Sequence, residues 1–496
     1  MLVVDIVDIN NYQIYYANLL PVDLKQILDN SKKSKAKVPT KTITIKPIVE
    51  SSQSSLRNIC LNFIYNSKSQ MGIPIKDIEE LKNVNSIEFK VVAEKGQVFD
   101  YILNNDVYTY ATLDDELHSK VALPKGNFVM IKNEIKKAIK INDKIYYDSY
   151  FLSRTKDSEF ITIGKAIKFD LKNKKINFKF KGTLSERIRD IQFYIDLMLN
   201  KEMSINDVEI KFPINEESVE TIKVVEEWKE RLENLKSLKI KLEEFNINFT
   251  SDIDELQKQD RKNLFMFMDI FCKEKVSESI KVKRTGLNCI KIDKYNIAVW
   301  CELKNNQLKF YNFFSNLKDV VQIVIVENGE EPNIDNITSP YLMLGIKDIL
   351  EYSNFNASIV EKSFEVIKDF EKQSVHINRF ILNLLQAYDK ENSRKDILRL
   401  AETICDKLSL YQNDITNRLN KLQIIKRKRE LTQSEKEDLM KIRENLSQDE
   451  LFNQNQCGIA ILLENEFDYE YFYNQMDKEA QSEFDNFPIS NFIKNR

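Results

Sequence analysis

The chain has 496 residues, 42% of them hydrophobic and 30% charged, with 29 Phe, 20 Tyr and a net charge of −3. That is the make-up of a folded protein of roughly two to four domains; a disordered chain is poorer in aromatics and more lopsided in charge. The nine glycines are too dispersed for a phosphate-cradling G-x-G or G-x-x-x-x-G-K loop, and the only two histidines, His118 and His376, lie in no pattern that suits zinc or Ser-His-Asp chemistry.

No run of about 18 apolar residues occurs, so no membrane span is expected. The first stretch carries Asp5 and Asp8 and has no basic lead, unlike a signal peptide. Six cysteines at 60, 272, 289, 301, 405 and 457 form no C-x-x-C. They read as reduced thiols of a cytoplasmic protein, with no metal or other cofactor expected.

Residues 1–213 read as a β-rich domain, because LVVDIVDI, QIYYANLL, TKTITIKPIV, SIEFKVVA, KIYYDSYFL, FITIGKAIKFDL and KINFKFKG alternate with period two. Two helices interrupt it. The first places Leu56, Ile59, Cys60, Phe63 and Ile64 on one expected apolar face. The second opens at a capping box, Thr183 with Glu186, and presents Ile188, Ile191, Ile195, Leu197 and Met198. Residues 30–41 read as a polar loop. Residues 214–276 predict an antiparallel helical hairpin, with Val225, Trp228, Leu232, Leu235, Leu242 and Phe245 on its first seam and Leu256, Leu264, Phe267 and Phe271 on its second. A small second β region follows at 277–336. Residues 337–496 predict an all-helical, solenoid-like domain, with capping boxes at Thr432 with Glu435 and at Ser447 with Glu450. The fold class is therefore α+β.

Carboxylates are the abundant catalytic currency. A metal-dependent nuclease needs an Asp on one strand and Glu-x-Lys on the next, the acids holding Mg²⁺ and the lysine activating water. Two runs offer Glu-x-Lys: Glu88 with Lys90, and Glu302 with Lys304. For the second, a tight hairpin turning at Lys294 and Tyr295 would leave Asp293 about 20 Å from Glu302, too far to share a metal.

Charge is unevenly spread. From Lys120 to Arg189 there are 18 basic and 7 acidic residues, a net +11; from Asn445 to Arg496 there are 3 and 10, a net −7. The densest basic stretch carries Lys165, Lys168, Lys172, Lys174, Lys175, Lys179 and Lys181 around Phe169, Phe178 and Phe180. In KINFKFKG the lysines alternate with the aromatics, so one strand face is expected to be cationic and the other apolar. Such a face tracks phosphates by counterion release, without sequence preference. The competing reading is a solvated strand whose phenylalanines face the core. The run Lys426, Arg427, Lys428 and Arg429 lies on a helix among many acids and carries less weight.

Two segments, GTLSERIRDIQFYIDLMLNKEMSINDVEIKF and AILLENEFDYEYFYNQMDKEAQSEFDNFPI, resemble parts of uncharacterised bacterial proteins found in phage-defence gene neighbourhoods. The resemblance implies a setting and no residue role. The sequence thus points to a non-enzymatic binding or regulatory protein whose basic β face contacts nucleic acid and whose helical tail docks a protein partner. The alternative is a Mg²⁺-dependent nuclease built on Glu88 and Lys90.

Overall fold

The computed structural model describes residues 1–8, 11–32, 42–49, 55–81, 83–94, 97–173, 175–205, 208–212, 219–277, 280, 282–305, 307–317, 323–324, 336–412, 414–448 and 451–494. The chain divides into two compact units, one of Met1–Lys181 with Arg189–Glu226 and one of Gly182–Ile188 with Glu227–Arg496. The class is α+β, strand-rich in the N-terminal half and helical at the C-terminal end. Among the described residues no helix is long and apolar enough to cross a membrane.

The first unit is built from four small sheets. One joins Leu2–Asp8, Asn11–Tyr16 and Lys46–Pro47; a second joins Val84–Phe89, Val107–Leu113 and Lys120–Gly126. A third has five antiparallel strands in the spatial order Lys175–Phe178, Ile167–Asp170, Glu159–Ile163, Tyr150–Arg154 and Ile131–Ile135. The fourth orders Val208–Lys211, Glu202–Ile205, Ile139–Ile141 and Lys144–Tyr147. Ile163, Ile167 and Phe169 of the five-stranded sheet share a core with Phe193 and Leu197 of the helix Leu184–Asn200. The capping box at the start of that helix forms as expected, with Thr183 N–H donating to Glu186 Oε2 at 2.8 Å and Glu186 N–H to Thr183 Oγ1 at 3.3 Å.

Two further helices lie where strand or loop was expected. Pro21–Lys32 begins with proline at its first position and has Leu20 N–H donating to Asp23 Oδ2 at 2.8 Å, which satisfies a donor the helix itself leaves open. Residues 30–32 of the expected loop belong to this helix, and 33–41 lie outside the described residues. Val98–Asn104 is the second, too short for its apolar period to show.

The helix Leu56–Gln70 corrects the sequence reading of its faces. Its buried residues are Asn58, Ile59, Asn62, Asn66 and Gln70, whereas Leu56, Cys60, Phe63 and Ile64 are exposed. Hydrogen bonding decides the orientation. Asn62 Oδ1 accepts from Val92 N–H at 2.7 Å and its Nδ2 donates to Val92 O at 2.7 Å, as a neighbouring strand would. Asn66 Oδ1 accepts from the Tyr110 hydroxyl at 2.9 Å, and Gln70 Oε1 accepts from Val22 N–H at 3.1 Å. Residues 90–92 have no ladder of their own, so turning the helix over would bury their backbone groups unpaired, at about 1–3 kcal/mol each.

In the second unit, Gly286–Ile292, Tyr295–Lys304 and Gln307–Asn312 form an antiparallel sheet. Its first turn falls one residue earlier than expected: Ile292 pairs with Tyr295, leaving Asp293 and Lys294 at the tip. Asp293 adopts φ 53°, a left-handed conformation that Asp tolerates and that suits a two-residue turn between twisted strands. The helices Val219–Glu244 and Lys258–Phe271 occupy the expected helical stretch, and Phe245 meets Phe267 and Phe271 edge-on at 5.1 and 4.8 Å.

Farther on, Ser374–Lys390, Lys395–Ser409 and Ile415–Lys428 pack in succession around Ile377, Leu384, Ile404 and Ile424. All four cations of the basic run are engaged within the protein: Lys426 with Glu464 at 2.7 Å, Arg427 with Asp389 at 2.6 Å, Lys428 with Glu402, and Arg429 with Glu435 at 2.7 Å. The expected box at Ser447 and Glu450 falls partly on residues 449–450, outside those described.

The box at Thr432 forms, and Glu435 also accepts two hydrogen bonds from Arg429. Those bonds, with those from Thr432, hold its carboxyl at about 2, well below 4.5. A depressed carboxyl stabilises the fold above its unfolded value, and that contribution is lost as pH falls through the folded value. Glu435→Gln is therefore expected to cost about 1 kcal/mol near neutrality. The difference should narrow as pH drops below 4.5 and vanish near 2. Urea midpoints across that range check it; a gap independent of pH would remove the carboxylate from the account.

Candidate nucleic-acid interface

Antiparallel partners point to the same side of a sheet, so the pairings of the five-stranded sheet fix which side chains share its outer face. One transverse row reads Glu134, Phe151, Thr162, Lys168 and Asn177; the next reads Lys132, Ser153, Phe160, Asp170 and Lys175. At about 4.8 Å between strands the five span roughly 19 Å. Phe151 faces Thr162 while Phe160 faces Ser153, so the two rings lie diagonally at the middle of the face. Each is half-buried. Lys132 holds its ammonium 4.0 Å from the Phe151 ring centre, and Lys168 does the same at 3.6 Å over Phe160.

The opposite face is apolar along Ile167–Asp170 and Lys175–Phe178, as the alternation predicts, and carries the Arg154–Glu159 ion pair toward one end. Ile167 and Phe169 are buried, and Phe178 and Phe180 meet Tyr194 at 4.6 and 5.7 Å. The aromatics nearest the lysines in sequence therefore belong to the core, and those on the lysine face come from other strands.

Of the seven lysines singled out, Lys168 and Lys175 lie on the outer face and both are exposed. Lys179 extends the alternation, its N–H bonding Ala166 O at 2.7 Å, and Lys181 is exposed just beyond. Lys165 sits in the turn before Ile167–Asp170, and Lys172 in the turn after it, at opposite ends of the same hairpin. Lys174 lies outside the described residues. The turn at Lys165 depends on Gly164, whose φ is +56° and where a Cβ would come within 2.8 Å of the Tyr147 ring, so no larger residue fits without displacing it.

Two acids share the face. Glu134 accepts from Ser149 Oγ at 2.7 Å. Asp170 accepts from the Asn173 amide and N–H, both at 2.9 Å, and these bonds lower its carboxyl below the usual range. Against them stand Lys132, Lys168, Lys175 and Lys179, so the field over the face is positive.

Sequence reasoning missed Lys132, Phe151 and Phe160. The signal was present in FLSR and FITIG, where Phe151, Ser153, Phe160 and Thr162 alternate with Leu152, Ile161 and Ile163. Reading it requires the register that places the strands side by side.

The Glu-x-Lys pairs find other partners. Glu88 bonds Lys120 at 2.5 Å, and that hydrogen bond lowers its carboxyl; Lys90 donates to Ser69 Oγ at 3.1 Å. Glu302 accepts from the Tyr311 hydroxyl at 3.2 Å, while Asp293, at the hairpin tip, accepts from Ser251 Oγ at 2.6 Å. Among the described residues no three His, Cys, Asp or Glu side chains form a group able to hold a metal ion, so neither pair gains the acids its chemistry needs. His118 and His376 are both exposed. No family model matches the chain, and neither a curated protein nor a solved structure is significantly similar to it.

Proposed function

We propose that this chain is a binding protein that holds single-stranded nucleic acid on the outer face of its five-stranded sheet. The observation that carries this reading is the diagonal pair Phe151 and Phe160, set on one sheet face and flanked by Lys132 and Lys168. Bases stack on such rings irrespective of sequence, while lysines follow the phosphates. A duplex keeps its bases stacked on one another and cannot use the rings, so single strands are the preferred ligand.

The same reading places the protein in a bacterial anti-phage system, following the resemblance of its two segments. Its helical region meets a protein partner; exposed Phe467 and Tyr471, each next to an exposed acid, Glu466 and Glu470, support a contact there.

The test is salt dependence. Binding of an oligonucleotide of about ten nucleotides should weaken linearly on a log–log plot against salt. Replacing Lys168, Lys175 and Lys179 together by Gln should lower the slope by about 2, at roughly 0.7 per phosphate contact with a single strand. A slope unchanged by the triple replacement would return these lysines to the role of a solvated strand face.

A further inference from the structure

We propose that the chain forms a two-fold dimer by pairing its first strand, Leu2–Asp8, antiparallel with the same strand of a second copy. That strand lies at the edge of its sheet and is hydrogen-bonded on one side, to Asn11–Tyr16. Met1 and Ala17 exchange both bonds of a ladder pair, each at 2.9 Å. The ladder alternates from there, so Val3 and Asp5 turn their backbone groups toward Asn11–Tyr16. Leu2, Val4 and Ile6 turn theirs the other way, where among the described residues none finds a hydrogen-bond partner.

An open edge is a template for another strand, and natural sheets guard theirs with lysine, proline or short length. The two larger sheets of this unit do so: their outer strands carry Lys132, Lys175, Lys144 and Lys211. Leu2–Asp8 is seven residues long and holds neither lysine nor proline. Its side chains add an apolar row to the open backbone. Leu2, Val4 and Ile6 share a sheet face with Tyr12, and all four are between 52% and 69% exposed. Asp5 points to the opposite face.

A second copy is the occupant because the strand complements itself in one register. With the two-fold axis at Val4, that residue meets its own copy and Leu2 meets the partner's Ile6, so all three outward residues enter ladder pairs. The same register sets Asp5 opposite the partner's Val3. Moving the axis to Asp5 would set two carboxylates directly against each other, which destabilises a strand pair. A slip by one residue would match outward with inward backbone groups. Only the Val4 axis brings Leu2 to Ile6. It leaves Leu2 between Tyr16 of its own sheet and the partner's Ile6, and burial of these side chains adds a hydrophobic contribution to the backbone bonds. The far edge of the sheet, Lys46–Pro47, is two residues long and is guarded by its lysine and proline, so association stops at two.

The experiment is sedimentation equilibrium of the full chain at concentrations from about 1 to 100 µM, where a reversible monomer–dimer equilibrium is expected. Val4→Pro removes the N–H at the axis while sparing every bond to Asn11–Tyr16, as proline on an edge allows. Val4→Lys sets two ammonium groups opposite each other. Each should weaken the dimer at least about tenfold. Because Val4 bonds nothing within its own chain through these groups, both variants should melt near the native chain at concentrations where that chain is monomeric. Val3→Lys faces the partner's Asp5 in this register and should tighten the dimer about threefold. A native chain still monomeric at the highest concentration would overturn the proposal. A dimer unchanged in both Val4 variants would overturn it by assigning the contact to another surface. Growth beyond two chains, or a dimer that Val3→Lys fails to tighten, would overturn the two-fold register.

Discussion

Replacing Phe151 and Phe160 together by alanine should lower affinity for a single-stranded oligonucleotide by about a hundredfold or more, with the slope against salt unchanged. Each base–aromatic stack is worth about 1–3 kcal/mol by alanine substitution, so each ring accounts for roughly 5- to 150-fold. The two rings lie diagonally on one strand pair, with the ammonium groups of Lys132 and Lys168 over them. A base that stacks on either ring exchanges a surface cation–π contact of about 0.5–1 kcal/mol for a larger one and frees the lysine for a phosphate. Because no charge is removed, counterion release is unaffected, which separates this result from that of the lysine replacement. Fold damage should be small, since both rings face away from the core of Ile163, Ile167 and Phe169. Fluorescence anisotropy with a labelled oligonucleotide reads the loss. A double variant that binds as tightly as the native chain would show that the rings are only covered surface and would remove the observation on which the proposed function stands.

The largest stability effect is expected at Arg427. Its side chain is 4% exposed and its guanidinium grips both oxygens of Asp389 at 2.6 Å. The same group donates to Pro488 O at 2.8 Å, lies 4.6 Å from the Phe492 ring centre, and shares Asp389 with the amide of Asn491. One side chain thus ties the helices Ser374–Lys390 and Ile415–Lys428 to the end of the described chain. Arg427→Ala leaves a carboxylate that is 17% exposed without its cation, and the expected cost is about 3 kcal/mol, at the low end for such pairs. Arg427→Lys keeps the charge but not the two-pronged grip, so an intermediate loss is expected. The chain's two tryptophans, Trp228 and Trp300, both lie in the second unit, so their fluorescence in urea follows that unit alone. A shift worth under about 1 kcal/mol for Arg427→Ala would mean that water enters and replaces the pair.

The sequence made some of this legible, and physical reasons account for the rest. The split into a cationic and an apolar face over KINFKFKG follows from period two alone, and the structure puts Phe178 and Phe180 against Tyr194 as that period requires. The capping boxes at Thr183 and Thr432 were readable because they are local, four-residue devices. Phe151 and Phe160 were not recognised as partners because they lie on different strands, and only the register sets them side by side. The hairpin tip moved by one residue because Asp293 accepts a left-handed backbone, a preference that alternation does not report. The basic run at 426–429 looked like a patch, yet its four partners, Glu464, Asp389, Glu402 and Glu435, come from other parts of the chain. Helix Leu56–Gln70 was turned the wrong way for a related reason: its orientation is set by the backbone of residues 90–92, some 30 positions away.

That inverted helix also changes which substitutions the protein tolerates. Standard stabilisation practice replaces buried amides with aliphatic residues and leaves apolar ones alone, and here both instincts run against the structure. Asn62→Leu would improve helix propensity and apolar burial on paper while stranding the N–H and carbonyl of Val92. Phe63 and Ile64, which a hydrophobicity profile marks as untouchable, are exposed and open to polar replacement. Drift by a single atom from amide to acid at Asn62 would put a negative charge against the Val92 carbonyl. The buried face therefore tolerates no such change, where an aliphatic face would be indifferent.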